Sequence, residues 1–295
     1  MNQSDKHIEV IVDAQLSCGE GPLWEARKER LLYVDSDLTF LYASDEPGKQ
    51  KMTLSDDIQV SSVALAKSGY VLLGDGLWLM DFNGKKEKLL DSFQEEKLFF
   101  NDSIVGPDGR IYAGTYYWDE QGMVKTGKLF RLEPGCDPVV LDEGIELSNG
   151  FAFSPNDDML YYSDSAKKCV YCYDFDKVNG TIANKRVFIR SEIGIPDGIT
   201  SDSDGNIWCA MWYEGAVHCY APDGSLVQIY HFPAKQTSSV GFGGSLLDTL
   251  YVTSAGSLFE SHMMPADFDR TAYLGGKIFS IKPGVKGRPE YIAKF

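Results

Sequence analysis

The sequence predicts an all-β protein, a six-bladed β-propeller of four-stranded antiparallel blades, as a single domain over residues 1–295. Three observations carry this. Long helical periodicity is scarce, and short β-rich runs alternate with Gly/Asp/Pro/Asn turns. Two-stranded units joined by a tight turn recur along the chain. Each unit is followed by a third strand-like run and usually a fourth, and four-stranded sheets repeated radially make a propeller.

The copies follow one another in order. Pro22-Leu23-Trp24 with Leu31-Leu32-Tyr33-Val34 opens the first, and Val63-Ala64-Leu65 with Tyr70-Val71-Leu72 the second. In the third, Ser103-Ile104-Val105 and Ile111-Tyr112-Ala113-Gly114 flank the turn Gly106-Pro107-Asp108-Gly109. Phe151-Ala152-Phe153 and Leu160-Tyr161-Tyr162 make the fourth, Ile199-Thr200-Ser201 and Ile207-Trp208-Cys209-Ala210 the fifth. Val240-Gly241-Phe242 and Leu250-Tyr251-Val252 make the sixth. Third strands follow at Phe40–Tyr42, Leu77–Met80, Lys128–Leu132, Val170–Tyr173, Val217–Tyr220 and Lys277–Ile281. Fourth strands are readable at Val139–Leu141, Val187–Ile189 and Val227–Tyr230. Ile8–Val12 stands in fourth-strand phase ahead of the first copy, so it is expected to close the ring, with Tyr291–Ala293 as the competing strand.

Composition excludes several partners. The 43 Asp and Glu against 28 Lys and Arg give a net charge of −15, and no basic cluster offsets it, so no nucleic-acid partner is expected. A hydrophobic content of 43% is enough to bury a full core and argues against disorder. No apolar run approaches the roughly 20 residues that span a bilayer. The start, Met1 to His7, lacks the charged and apolar regions of a secretory leader. A cytoplasmic protein without membrane association is expected, as a monomer or small homo-oligomer.

Cysteine and histidine narrow the chemistry. Six cysteines show no disulfide framework, and Cys169-Val170-Tyr171-Cys172 lies in a strand-like apolar run, which reads as buried thiols rather than a redox pair. His7, His218, His231 and His262 show neither HxH nor HExxH spacing, and no GxSxG elbow occurs. A His-based zinc site and a Ser-His-Asp triad therefore lack support.

Aligning the copies places one residue of each immediately before its innermost strand: Glu20, Ser61, Asn101, Asn149, Asp197 and Ser238, 40 to 48 residues apart. Innermost strands run beside the channel, so equivalent positions point at one axis. Two carboxylates, two carboxamides and two hydroxyls are expected to converge there. Oxygen donors without thiolate or imidazole suit Ca²⁺, Mg²⁺ or Mn²⁺. Without a cation, Glu20 and Asp197 would repel and desolvate each other, raising at least one pKa. The competing reading is a water-filled polar channel with no metal. Turn residues explain many of the other Asp and Asn through local hydrogen bonds, but those lie between strands, whereas this set stands at inner strand starts. Asp202-Ser203-Asp204-Gly205-Asn206 begins like a calcium loop, yet it sits at a hairpin turn and lacks the closing Glu. Gly241-Phe242-Gly243-Gly244 is followed by no Lys-Ser/Thr and opens no helix, and Asn179-Gly180-Thr181 reads as a turn.

Cys18-Gly19-Glu20-Gly21-Pro22-Leu23-Trp24, Asn101-Asp102, Ser148-Asn149-Gly150 and Ile195-Pro196-Asp197-Gly198 resemble the family of senescence marker protein (regucalcin), gluconolactonase and luciferin-regenerating enzyme. The likeness runs from about residue 8 to 293 and takes in Ser61-Ser62-Val63-Ala64-Leu65 and Gly241-Phe242-Gly243-Gly244. It implies a six-bladed propeller with one divalent cation in the channel, Ca²⁺ foremost, with Zn²⁺, Mn²⁺, Mg²⁺ or Fe²⁺ as the other metals to consider. Glu20, Asn149 and Asp197 match the family's metal ligands, Asp197 also its proposed general base, and Asn101 a substrate contact. Asp119 stands where the family commonly has an acid that reads sugar hydroxyls. Phe99 stands where sugar-lactonase relatives often carry an Arg, and its ring cannot donate a guanidinium's paired hydrogen bonds.

The expected function is hydrolysis of a small sugar-acid lactone, the cation polarising the carbonyl and Asp197 taking a proton from water. Tyr116, Tyr117, Trp118, Trp212 and Tyr213 stand near strand ends, about half of them as blade packing and the rest facing substrate. The rivals are a metal-dependent hydrolase of another ester, such as an organophosphate, and a non-catalytic calcium-binding propeller.

Overall fold

Burial explains why these runs become strands in this order. The structure is a computed structural model that describes residues 7–44, 51–119 and 121–295. The second strand of each copy is buried along almost its whole length, as in Gly69–Gly74, Ile111–Thr115 and Ile207–Trp212. Both faces of such a strand are covered, so its sequence is a continuous apolar run rather than an alternation. Fourth strands such as Lys86–Leu90 and Leu226–His231 are largely exposed, and Lys86, Glu87 and Lys88 put charge on that edge. A charged, solvated edge discourages pairing with another chain.

Six four-stranded antiparallel sheets result. Blade 1 is Gly19–Glu25, Arg30–Asp35, Phe40–Ser44 and Lys51–Ser55; blade 2 is Val60–Leu65, Gly69–Gly74, Gly76–Asp81 and Lys86–Leu90. Blade 3 is Phe100–Val105, Ile111–Thr115, Gly127–Leu132 and Val139–Ile145; blade 4 is Ser148–Phe153, Met159–Asp164, Cys169–Asp176 and Thr181–Arg190. Blade 5 is Ile195–Ser201, Ile207–Trp212, Ala216–Tyr220 and Leu226–His231. Blade 6 takes Thr237–Gly243, Thr249–Ser254 and Ile278–Ile281, and its outermost strand is Glu9–Val12.

The N-terminal strand therefore closes the ring, with Glu9 opposite Ser280 and Val12 opposite Ile278. Tyr291–Ala293 does not compete for that slot. It runs across the far end of the channel, where Ala293 N–H donates to Leu65 O at 2.8 Å and Arg288 and Tyr291 both reach Asp157.

Among the described residues the core divides into six clusters, one at each blade interface. Leu32, Val34 and Leu41 meet Val60, Val63 and Leu72 between blades 1 and 2, for example. Ile11 and Ile278 meet Leu31 and Tyr33 where blade 6 returns to blade 1. Packing is thus sequential around the ring. Cys169 and Cys172 are buried free thiols, Cys172 in the interface of blades 4 and 5. Asp202 caps its own turn, accepting from Asp204 and Asn206 N–H at 3.0 and 2.8 Å.

Among the described residues a short hairpin, Ser92–Phe93 with Glu96–Lys97, joins blades 2 and 3, and two longer insertions depart from the repeat at the channel's upper mouth. Blade 3 carries an extra hairpin, Tyr117–Asp119 with Gly122–Lys125. Blade 6 carries a strap, residues 256–276, between its second and third strands.

Candidate functional site

One irregularity is common to all six inner strands. The pairing register slips between Glu20 and Leu23, Val60 and Ser62, and Phe100 and Asp102. It slips likewise between Ser148 and Phe151, Pro196 and Ile199, and Thr237 and Val240. Each slip is a bulge at the aligned polar position, and a bulge re-aims a side chain out of the sheet. The glycines that follow serve the same crowding. A Cβ on Gly150 would stand 2.2 Å from Ile199 N, and one on Gly198 would meet the Ser239 side chain at 2.1 Å. Only glycine lets neighbouring inner strands approach so closely.

The result is a cavity of about 430 Å³ at the upper end of the channel, lined by Glu20, Ser61, Asn101, Asn149 and Asp197 among others. That volume falls within the range of about 300–1,000 Å³ usual for small-molecule sites. Five of the six aligned residues thus share one wall. Ser238 does not. It is fully buried, and its hydroxyl donates to Gly19 O in blade 1. The Ser61 hydroxyl donates to Phe100 O at 2.7 Å. The two hydroxyls bind inner strands to each other, and the expected convergence reduces to two acids and two amides.

The amides are oriented by their own donors. Asn101 Nδ2 donates to Ser148 O at 2.7 Å and Asn149 Oδ1 at 3.3 Å. Asn149 Nδ2 donates to Ser165 Oγ at 3.0 Å, which donates to Pro196 O at 2.6 Å. With the amide hydrogens committed to the wall, the oxygens are what these side chains offer.

The acids lack such compensation. Glu20 is half-buried by area because it faces the cavity, but it sits deep in the channel, and desolvation and Asp102 push its pKa up to about 8. Burial, then Glu20, then Asp102 hold Asp197 well above the ordinary carboxylate range. Asp102, next to Asn101, is pushed up to about 6 by burial, against the pull of Ser103 N–H and the Ser62 hydroxyl. Among the described residues Asp197 Oδ1 is buried without a hydrogen-bond partner. Among the described residues no Lys, Arg or His lines the cavity, and no three His, Cys, Asp or Glu side chains stand together as a ready-made metal cluster. A cation here would rest on two carboxylates, an amide oxygen and water, a donor set that hard divalent ions accept. The orphaned oxygen and mutually repelling acids fit such an ion.

A family model described as the SMP-30/Gluconolactonase/LRE-like region matches residues 18–256. The chain belongs to this family. Pentonolactonase XacC of Haloferax volcanii is 31% identical over 291 residues, covering 95% of this chain and 96% of that one. A solved luciferin-regenerating enzyme superposes with a TM-score of 0.87 at 26% identity, covering 98% and 100% of the two chains. A calcium-binding regucalcin from Agrobacterium tumefaciens gives 0.84 at 25% identity, covering 98% of each.

Within this SMP-30/gluconolactonase-like chain, the other expected residues fall in two groups. Tyr116, Trp118, Trp212 and Tyr213 line the cavity. Tyr117 packs edge-on against Phe99 at 6.4 Å and lies under the Lys125 ammonium. Phe99 and Asp119 are outside the cavity lining. Phe99 is partly exposed, and Asp119 is exposed on the inserted hairpin, its Oδ1 accepting from Gln121 N–H at 2.8 Å. Sequence reasoning did not single out Asp102, or Phe259 and Met263 from the strap, as lining residues. The signal for the strap was the long interval between Val252 and Lys277, wider than that between second and third strands elsewhere.

Proposed function

We propose that the protein is a metal-dependent lactonase, opening the cyclic ester of a small sugar acid at one divalent cation held by Glu20, Asn149 and Asp197. The observation that carries this is the pair of channel carboxylates whose charges have no cationic partner and whose Asp197 Oδ1 has no hydrogen bond. The pentonolactonase relative supports the substrate class, and the calcium-binding regucalcin supports the ion. When bound, the cation supplies a Lewis acid that polarises the lactone carbonyl and Ca²⁺ is the leading candidate. Water adds to the carbonyl carbon, the ring C–O bond breaks, and the ring oxygen leaves as a hydroxyl. Asp197 takes the proton from the attacking water and returns one to the ring oxygen. Asn101, fixed by Ser148 O and Asn149, holds the lactone against the acids. With Phe99 and Asp119 outside the cavity lining, we assign the substrate contact to Asn101.

The calcium-binding relative also favours a second reading, in which the cation is held without turnover. One experiment separates them. Bound metal is measured and stripped by chelation, and five- and six-membered aldonolactones are assayed by proton release before and after each cation is restored. The lactonase reading predicts a rate that is lost and regained. Full rate in the stripped protein contradicts the metal, and binding without hydrolysis on every lactone supports the second reading.

A further inference from the structure

Inner strands contact their neighbours in chain order, and blade 6 contacts blade 1, so blades 3 and 6 face each other across the channel. Yet the rings of Trp118, from the blade 3 hairpin, and His262, from the blade 6 strap, stack at 5.5 Å with an interplanar angle of 4°. Residues of opposite blades can meet only if their insertions reach towards each other over the mouth.

Both halves of this arch are anchored. Trp118 Nε1 donates to Glu146 O at 2.7 Å. The fully buried Gln236 holds the base of the strap, its Nε2 donating to Ser257 O at 2.6 Å and Ala255 O at 3.2 Å. Midway, the Tyr213 hydroxyl donates to Phe259 O, and its ring packs on Phe268 at 5.1 Å. Tyr213 holds this place with φ +68°, a left-handed backbone unusual for a bulky residue. Ser261 and Met263, on either side of His262, line the cavity, as does Trp118. His262 itself is exposed. The stack is therefore a thin roof with the cavity beneath it and solvent above.

We propose that Trp118 and His262 are specificity-determining residues: joined over the mouth, they restrict the cavity to lactones small enough to lie beneath the stacked pair. This rests on the lactonase reading. Neither ring belongs to the proposed cation site, so the pair governs which lactone is accepted rather than whether the ester is opened.

The test compares an unsubstituted aldonolactone with a lactone bearing a long alkyl or aryl substituent, in the metal-loaded wild type and in His262→Ala and Trp118→Ala. The expected result is a gain of about tenfold or more in relative kcat/KM for the bulky lactone, the scale on which small changes of pocket shape alter selectivity. Metal content stays unchanged in both variants, since neither ring belongs to the proposed cation site. A ratio within twofold of wild type in both variants overturns the proposal. Hydrolysis of the small lactone by the wild type tests the underlying reading separately. A further readout does not depend on activity. Removing His262 is expected to raise tryptophan emission, and the rise should vanish when Trp118→Phe is added. An emission that ignores His262 overturns the stack. His262 is exposed, so His262→Ala keeps the test available if Trp118→Ala folds poorly.

Discussion

Glu20 and Glu25 stand near the two ends of one inner strand, Gly19–Glu25, and the molecule treats them oppositely. Glu25 is completely buried, and burial alone would raise its pKa. Hydrogen bonds from Arg27 at 2.6 Å and Arg30 at 2.7 Å, with the Tyr70 hydroxyl, outweigh that and hold it below the ordinary range. Glu20 has only Gly21 N–H at 3.3 Å and two neighbouring acids, and its pKa rises. The contrast extends to the whole channel. At the lower end Arg288 of the C-terminal segment donates to Ser154 O at 2.7 Å and to Asp157 at 2.8 Å, and its guanidinium opposes the burial that pushes Glu290 up to about 7. At the upper end, carboxylate charge is left uncompensated. The same strands thus carry stability at one end and the proposed ion site at the other, a division expected where function competes with stability.

The comparison breaks most visibly at Asp197. Asp197→Ala is expected to lower lactone turnover by about 10²–10⁴-fold, the range typical of a general base. Proton-release assays with metal restored check this, and turnover within a few-fold of wild type would remove Asp197 from the mechanism.

Glu25→Gln sharpens the other half. Leaving two guanidinium groups without their buried partner is expected to cost about 3–5 kcal/mol, read by denaturant unfolding, with little effect on kcat. The depressed pKa fixes the sign with pH. Stability from Glu25 is fully present above the unfolded value of about 4.3 and is lost as pH falls through the lower folded value. Wild type and Glu25→Gln should therefore converge in strongly acidic solution; a difference that persists unchanged there contradicts the assignment.

Much of this is legible in the sequence. The phase of Ile8–Val12 marks ring closure, and the aligned polar positions Glu20, Asn101, Asn149 and Asp197 predict a common wall. The bulges were not legible, because register is settled by pairing across strands rather than by composition. Equally hidden was the hydrogen bond that turns Ser238 away to Gly19 O while Asp197 faces the cavity. The Trp118 hairpin was also hidden, and the strap showed only as the long interval between Val252 and Lys277. Neither belongs to the repeat, so no second copy reveals its place. Asp102 was read as part of a motif, and only its depth beside Glu20 shows that it shapes the charge of the site.

Two smaller effects follow from the same contrast. The cavity wall has acids and no basic side chain among the described residues. A lactone carrying a phosphate is therefore expected to react about tenfold more slowly, or worse, than its uncharged counterpart; comparable kcat/KM for the pair would contradict the acidic wall as a filter. Arg288→Ala, at the lower end, should lose about 1–2 kcal/mol of stability and leave lactone kinetics unchanged. A fall in kcat would show that the two ends are not independent.

The central claim is that an ion takes the place of the missing countercharge at Glu20 and Asp197. Calorimetric titration of Ca²⁺ into metal-stripped wild type, Glu20→Gln, Asp197→Asn and Glu25→Gln tests it most directly. One ion per chain is expected in the wild type and in folded Glu25→Gln, with binding lost or greatly weakened in the other two. Unchanged binding in Glu20→Gln and Asp197→Asn, or no binding of Ca²⁺ or any other divalent ion to the wild type, would contradict it.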